Sequence, residues 1–324
     1  MSVRAKEALL DLVLRTLTGC AADSTDRPGL RRSISVNGFR HTARALLLRH
    51  WLHSHENERD AVLLCPALEG RFTLAIAAAD GGVGREILES GTWEPHVVAF
   101  YRNVIRPGMT VVDVGANVGF HTLHAATLVG PQRRVIAVEP DARNAALIRL
   151  SLRLAQEPLP VEVIEAALSD RAGELVLTDL GNAANSGARF THEDLSVLEQ
   201  LVHGPSPRFE RVQALRWDEA HPDVHPDLVK IDVEGFEARV VRGMSRTIER
   251  DRPVVVSELA PGNLREIGRV EPAEYLSWFR ERDYGLAVIA DDGSTQPTSA
   301  EAALQTLGGR HHVDVVFTPI GSSS

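Results

Sequence analysis

Residues Met109 to Gly119 read Met-Thr-Val-Val-Asp-Val-Gly-Ala-Asn-Val-Gly and run straight into the apolar stretch Phe120 to Val129. Thr110 to Val114 is a short β-branched run, the composition of a strand buried on both faces, and it stops at glycines where the backbone must turn sharply. A helix is predicted to start there. A buried strand, a glycine turn and a helix in that order belong to a parallel α/β sheet, and the loop between them is expected to turn its backbone N–H groups toward a ligand.

The following chain repeats the pattern, predicting strand 110–114, helix 119–129, strand 134–139, helix 141–155 and strand 161–167. Gly130-Pro131 and Pro158 to Pro160 mark the breaks. Farther on, strands are predicted at Asp227 to Asp232, Pro253 to Glu258, Leu286 to Ala290 and Val313 to Pro319, with helices after Gly235 and over Pro272 to Arg282. The expected fold is a Rossmann-like α/β domain over 109–320, a seven-strand sheet with helices on both faces and its last pair antiparallel. Ahead of it, 61–108 reads as a β-hairpin at Ala61 to Cys65 and Arg71 to Ala77, followed by a lead-in helix opened by Pro95. Residues 1–60 read as a helical extension and 321–324 as a disordered tail. Gly181 to Ala188 and the weakly patterned stretch to Glu210 read as a loop that contacts substrate.

Composition narrows the class. A formal charge of −9, with no basic run longer than Arg31-Arg32, argues against a nucleic-acid partner, because phosphate neutralisation needs a clustered basic surface. No apolar stretch reaches the length of a membrane span. Cys20 and Cys65 can build neither a disulfide framework nor a metal cluster, so the expected compartment is the cytoplasm. His50 and His53 sit three apart on an expected helix but lack an acid or cysteine to complete a ligand set, so no metal is predicted there.

The ligand is read from two acids. The loop Gly115-Ala116-Asn117-Val118-Gly119 departs from the pyrophosphate fingerprint Gly-x-Gly-x-x-Gly, and Asp113 puts a carboxylate just before it. That favours a cationic ligand. S-adenosylmethionine carries a sulfonium and an ammonium, and Asp113 is placed to orient its methionine end. Glu139, twenty residues beyond Gly119, ends the next strand and can accept from both ribose hydroxyls. Ser169 and Asp170 follow the third strand where an adenine would lie, although Asp170 equally fits a turn with Gly173.

A second stretch, Asp227-Leu-Val-Lys-Ile-Asp-Val-Glu-Gly235, places Leu228, Lys230 and Asp232 on one face of a strand. A buried parallel strand should be nearly all apolar, so this lysine needs a reason. The chain has only two lysines, Lys6 and Lys230, among many arginines, so Lys230 reads as selected for its shape. A structural Lys-Asp pair is the alternative. Glu258 ends the next strand in the same way.

The chain resembles the FkbM family of S-adenosylmethionine-dependent methyltransferases in Val111 to Phe120, in Val138-Glu-Pro-Asp-Ala-Arg-Asn144, in Ala166-Ala-Leu-Ser-Asp170, in Leu228-Val-Lys-Ile-Asp-Val-Glu-Gly235 and in Val256-Ser-Glu258. The resemblance covers roughly 70–320 and implies a class I methyltransferase fold and O-methylation of a sugar or secondary metabolite. The arginine bias fits a bacterial biosynthetic enzyme. Methyl transfer to a hydroxyl requires alignment, exclusion of water and a proton acceptor. Asp232 is expected nearest the reacting centre, fixed by Lys230, with Glu234 or Glu258 holding substrate hydroxyls and His121 as a rival base. A divalent cation at Asp232 and Glu258 would lower a hydroxyl's pKa, but no ligand spacing in the sequence calls for one. The other classes open to such a sheet are an NAD-dependent oxidoreductase and a non-catalytic nucleoside-binding scaffold. The extension at 1–60 is expected to cover the substrate cleft or to join two subunits as a homodimer.

Overall fold

The computed structural model describes residues 61–179, 189–192, 208–307 and 311–321. The expected helices in 1–60, the loop at 181–188 and the tail at 322–324 lie outside these residues. The chain forms two compact units, one ending at Trp93 and one running from Glu94 to the C-terminus. In the first, β1 (Val62–Ala67) and β2 (Phe72–Ala77) pair antiparallel around the Glu69-Gly70 turn. Helix α1 (Val83–Ser90) follows, its start held by Asp80, whose carboxylate accepts the N–H groups of Gly82 and Gly84 at 3.0 Å.

The second unit opens with α2 (Pro95–Val104), proline at its first turn as its missing N–H allows. Strands β3 (Val111–Val114), β4 (Val135–Val138) and β5 (Val161–Ile164) then alternate with α3 (Phe120–Val129) and α4 (Ala142–Arg153). Asp141 caps α4 by accepting from the N–H groups of Arg143 and Asn144. Between β5 and the next strand of the main sheet, the chain builds β6 (Ala167–Leu168), β7 (Gly173–Asp179), β8 (Arg189–His192), β9 (Arg208–Leu215) and the short helix α5 (Trp217–Ala220). The main sheet resumes with β10 (Leu228–Ile231), helices α6 (Glu237–Gly243) and α7 (Ser245–Asp251), β11 (Val254–Leu259), and helices α8 (Pro261–Glu266) and α9 (Pro272–Arg280). Strand β12 (Tyr284–Ile289), β13 (Thr295–Pro297), α10 (Ala300–Thr306) and β14 (Val313–Pro319) complete it.

The main sheet has eight strands in the order β13-β12-β14-β11-β10-β3-β4-β5, one more than the seven expected. The eighth, β13, is three exposed residues on the edge, too short and polar to carry a strand signature. From β11 to β5 the strands are parallel, and β14 pairs antiparallel with both β11 and β12.

Strand alternation divides the core in two. Val112, Val114, Val229, Ile231 and Val255 pack with α6, α7 and α9 on one face, while Val111, Val135, Leu228, Val256 and Val316 pack with α2 and α3 on the other. By the same period, Asp113 and Lys230 project from the α2/α3 face, where they sit in register on adjacent strands.

Among the described residues of 167–215, β6 to β9 form a four-stranded sheet in the order β6-β9-β7-β8, with β8 and the start of β9 inside the stretch 181–210 expected as loop. Its signal is a period of two: Leu175 and Leu177 on β7 and Val212 and Ala214 on β9 bury together with Ala167 and Phe236. On β9 the intervening Arg211 and Gln213 are exposed, but on β7 Val176 and Thr178 are buried as well, so that strand shows no clean alternation.

On the α9 side, Phe279 stacks on Phe317 with centroids 3.7 Å apart and planes within 10°. Replacing Phe279 by Ala is expected to remove about 3–5 kcal/mol of stability, lowering Tm by on the order of 10 °C for a unit of this size. A thermal melt of the variant that coincides with wild type would show that this stack carries no stability.

Candidate active site

The glycine loop and the end of β10 are built as one piece. Gly115 has φ +82°, and a Cβ there would sit 1.8 Å from the carbonyl oxygen of Asp232. The Asp232 N–H donates to the Val114 carbonyl at 3.0 Å, so β3 and β10 stay joined to their carboxyl ends. Gly235, at φ +101°, lets the following turn approach the Asn263 carbonyl, where a Cβ would meet oxygen at 2.5 Å. No other residue fits at Gly115 or Gly235 without moving backbone.

The loop does not present its amides as expected. Gly115 and Ala116 donate their N–H groups to the Val138 carbonyl at 2.9 and 3.1 Å, Gly119 donates to Ala116, and Asn117 donates to Glu139 Oε2 at 2.8 Å. Four loop amides are therefore spent within the protein. A pyrophosphate, which needs such amides free, finds no cradle here.

Glu139 is buried and turned into the loop, accepting from the Asn117 N–H and, at 2.9 Å, from the Asp141 N–H. Asn144 adds a longer contact at 3.5 Å and also donates to Asn117 Oδ1. A carboxylate has about four acceptor sites, so capacity for ribose hydroxyls remains. Burial pushes its carboxyl up to about 8, against those amides.

Asp113 lies beneath the loop at 2% exposure, where Thr122 donates its hydroxyl to Oδ2 at 2.6 Å. Its Oδ1 is buried without a hydrogen-bond partner among the described residues. Ser169 is buried, its hydroxyl donating to Asp170, and Asp170 forms an ion pair with Arg239 at 3.3 Å. The structure thus ties Asp170 to α6 rather than leaving it as a free turn acid.

Lys230 is the buried cation of the second motif. Its Nζ donates to Asp232 Oδ2 at 2.6 Å while Asp232 keeps 25% of its side chain exposed. Burial opposes the lysine charge, but Asp232, Glu94 and Asp113 around it hold its pKa well above the ordinary value. Glu234 takes a left-handed backbone, φ +52°, and accepts from the Asn263 amide at 2.9 Å. Burial, with the Asp232 charge added, raises its carboxyl to about 8. Glu258 faces His312 at 3.3 Å and neighbours Asp314, its strand partner on β14, which pairs in turn with His96 at 2.6 Å.

Asp232, Glu234 and Glu258 each bring a carboxylate oxygen within 4.8 Å of the other two. Among the described residues this is the one group spaced to hold a metal ion, and the same oxygens can accept from the hydroxyls of an acceptor. Glu237, fully buried, accepts from the Val233 and Gly235 N–H groups and fixes the turn that carries Glu234.

His121 is not open to an acceptor. Its Nε2 meets Glu94 Oε2 at 2.8 Å, and its Nδ1 is buried against the Tyr101 and Phe120 rings with no hydrogen-bond partner among the described residues. Glu94, His96 and Asp314 escaped sequence reading because each acts through a residue far away in the chain. The one local signal was an acid directly before the helix-opening Pro95.

A mostly parallel sheet with a glycine loop after its first strand, and acids ending the next strands, is the Rossmann-like fold that class I methyltransferases share with other nucleoside-binding proteins. The chain belongs to the family described as the methyltransferase FkbM domain, matched over residues 113–286. Solved structures similar to it include methyltransferase FkbM from Methylobacillus flagellatus KT, at 16% identity over 72% of this chain and 54% of that one, TM-score 0.42. This chain therefore matches about half of that protein's length. Fibrillarin from Aeropyrum pernix with natively bound S-adenosyl-L-methionine is 11% identical, over 70% of this chain and 76% of that one, TM-score 0.38. A SAM-dependent O-methyltransferase from Thermotoga maritima is 10% identical, over 71% and 66%, TM-score 0.36. No curated protein matches the sequence. Among the described residues no helix is long and apolar enough to cross a membrane.

Three buried carboxyls, Glu139 and Glu234 at about 8 and Glu237 at about 7, bind protons in the folded state that the unfolded chain, near 4.5, releases. Their stabilisation is full below the unfolded value and is lost as pH rises through about 7 to 8. The ligand-free protein is expected to lose Tm between pH 5 and 9, and Glu139→Gln to show a shallower fall. A Tm that climbs across that window would contradict the assignment.

Proposed function

We propose that the enzyme transfers a methyl group to a hydroxyl of a small molecule, a sugar or secondary metabolite of a bacterial biosynthetic pathway. S-adenosylmethionine, when bound, supplies an electrophilic methyl on a sulfonium. The protein's part is to place the nucleoside over β3 and β4, with Glu139 at the ribose and Ser169 and Asp170 near the adenine, and to direct the acceptor to the end of β10. One observation carries this reading: the loop's amides are internally spent, while the strand ends beside it carry an array of acids. That combination suits a cationic nucleoside and a hydroxylic partner and disfavours an NAD-dependent oxidoreductase. A scaffold that merely bound the nucleoside would have no use for the buried Lys230 beside Asp232.

In this reading Asp232 accepts the acceptor's proton, or orients its hydroxyl, from the exposed side of its ion pair. Lys230 holds the carboxylate ionised and in one rotamer, a positioning role through the 2.6 Å contact. Glu234 and Glu258 bracket the acceptor's other hydroxyls. The burial of His121 supports Asp232 over it as the base. The acidic lining and the chain's charge of −9 support a small, uncharged acceptor over a nucleic acid. Residues 1–60 supply a cover for the cleft or a homodimer contact.

Asp232→Asn is expected to retain S-adenosylmethionine binding by calorimetry while methyl transfer slows by about 100-fold or more. Turnover at the wild-type rate would remove Asp232 from the chemistry.

A further inference from the structure

Glu94 is a charged group beside the glycine loop that methyl transfer as proposed leaves without a task. It precedes Pro95 at the start of α2 with φ +42° and ψ 69°, a left-handed backbone that a glutamate before proline rarely adopts. The side chain does not cap the helix it opens. It reaches instead to His121, two residues past the glycine loop, at 2.8 Å. Its charge and that of Lys230, which lies in register with Asp113, also act on each other. Glu94 therefore lies against the first turn of the helix that follows the glycine loop. In the reading proposed above, a nucleoside over β3 and β4 with its reactive centre toward Asp232 carries its amino-acid end past the glycine loop, the side on which Glu94 lies.

Asp113, the acid to which the sequence assigns the methionine end, is badly placed for it. It is buried beneath the loop, with Oδ2 taken by Thr122 and Oδ1 shut in without a partner among the described residues, whereas the Glu94 side chain stays partly exposed with one oxygen engaged by His121. We propose that Glu94, fixed by His121, is the receptor for the α-ammonium group of the S-adenosylmethionine amino-acid end. The assignment rests on the cofactor reading above and names the residue that recognises one part of it. His121 is then a positioning residue, its ring held between Tyr101 and Phe120 so that its nitrogen fixes the carboxylate. Burial works against the Glu94 charge, but the His121 hydrogen bond and the Lys230 and His96 charges overcome it and hold the carboxyl at about 2. The left-handed backbone is the conformational cost that turns this carboxylate inward, a form of local strain typical of ligand-holding residues.

The test is a titration of the full chain with three ligands: S-adenosylhomocysteine, its analogue lacking the α-amino group, and 5′-methylthioadenosine, which lacks the whole amino-acid end. The wild-type protein is expected to bind S-adenosylhomocysteine about 10- to 100-fold more tightly than the desamino analogue, the scale of one charge-assisted hydrogen bond. Glu94→Gln is expected to lose that preference while binding 5′-methylthioadenosine as wild type does, and Glu94→Asp to recover part of it. Equal wild-type affinity for the first two ligands overturns the assignment without any variant. So does a Glu94→Gln protein that keeps the preference, or one that weakens all three ligands alike. A wild-type protein that binds none of the three overturns the cofactor reading itself, whereas tight binding of 5′-methylthioadenosine with no amino preference overturns only the role of Glu94.

Discussion

The absence of a side chain at Gly115 is the constraint on which the site depends. The Asp232 carbonyl oxygen occupies the place where a Cβ would stand, so the turn after β3 and the turn after β10 can close on each other. One of these turns serves the nucleoside and the other the acceptor. Methyl transfer needs donor and acceptor held within a few tenths of an ångström of line, and a backbone-to-backbone contact holds position better than any pair of long side chains. Gly235 repeats the device against Asn263 and thereby fixes Glu234.

The second determinant is an excess of carboxylates over cations on one face of the sheet. Asp113, Glu94 and Asp232 surround a single buried lysine, and Glu234, Glu258 and Asp314 lie farther along the same strand ends. Buried charge is tolerated only when it is paired or neutralised. Here each acid has a different solution: Thr122 for Asp113, His121 for Glu94, Lys230 for Asp232, Asn263 for Glu234 and His96 for Asp314. Burial, with neighbouring carboxylates adding to it, raises the carboxyls of Glu139, Glu234 and Glu237. A cationic ligand relieves the excess of carboxylates, which links the electrostatics of the empty protein to the chemistry proposed for it.

Much of the architecture was legible in the chain because it is written locally. The run from Val111 to Val129 announces strand, turn and helix through β-branching, glycine and apolar composition, and Lys230 stands out in a strand that should be apolar. The site was legible only where its residues lie on such motifs. Glu94 meets His121 across 27 positions, and His96 meets Asp314 across 218, so no spacing rule could pair them. The sheet formed by β6 to β9 was missed because Leu175, Val176 and Leu177 are buried in a row, which breaks the period of two on β7, and β6 is only two residues long. The loop amides misled in the other direction. A glycine turn before a helix ordinarily offers its N–H groups to a ligand, but here Val138 and Glu139 had already claimed them, a fact that exists only in three dimensions.

The most direct measurement is a crystal structure of the full chain with S-adenosylhomocysteine. The account requires the ribose hydroxyls on Glu139 and the sulfur above the end of β3, facing the exposed oxygen of Asp232 across the Gly115 contact. A nucleoside bound elsewhere, or one whose sulfur points away from β10, would contradict it.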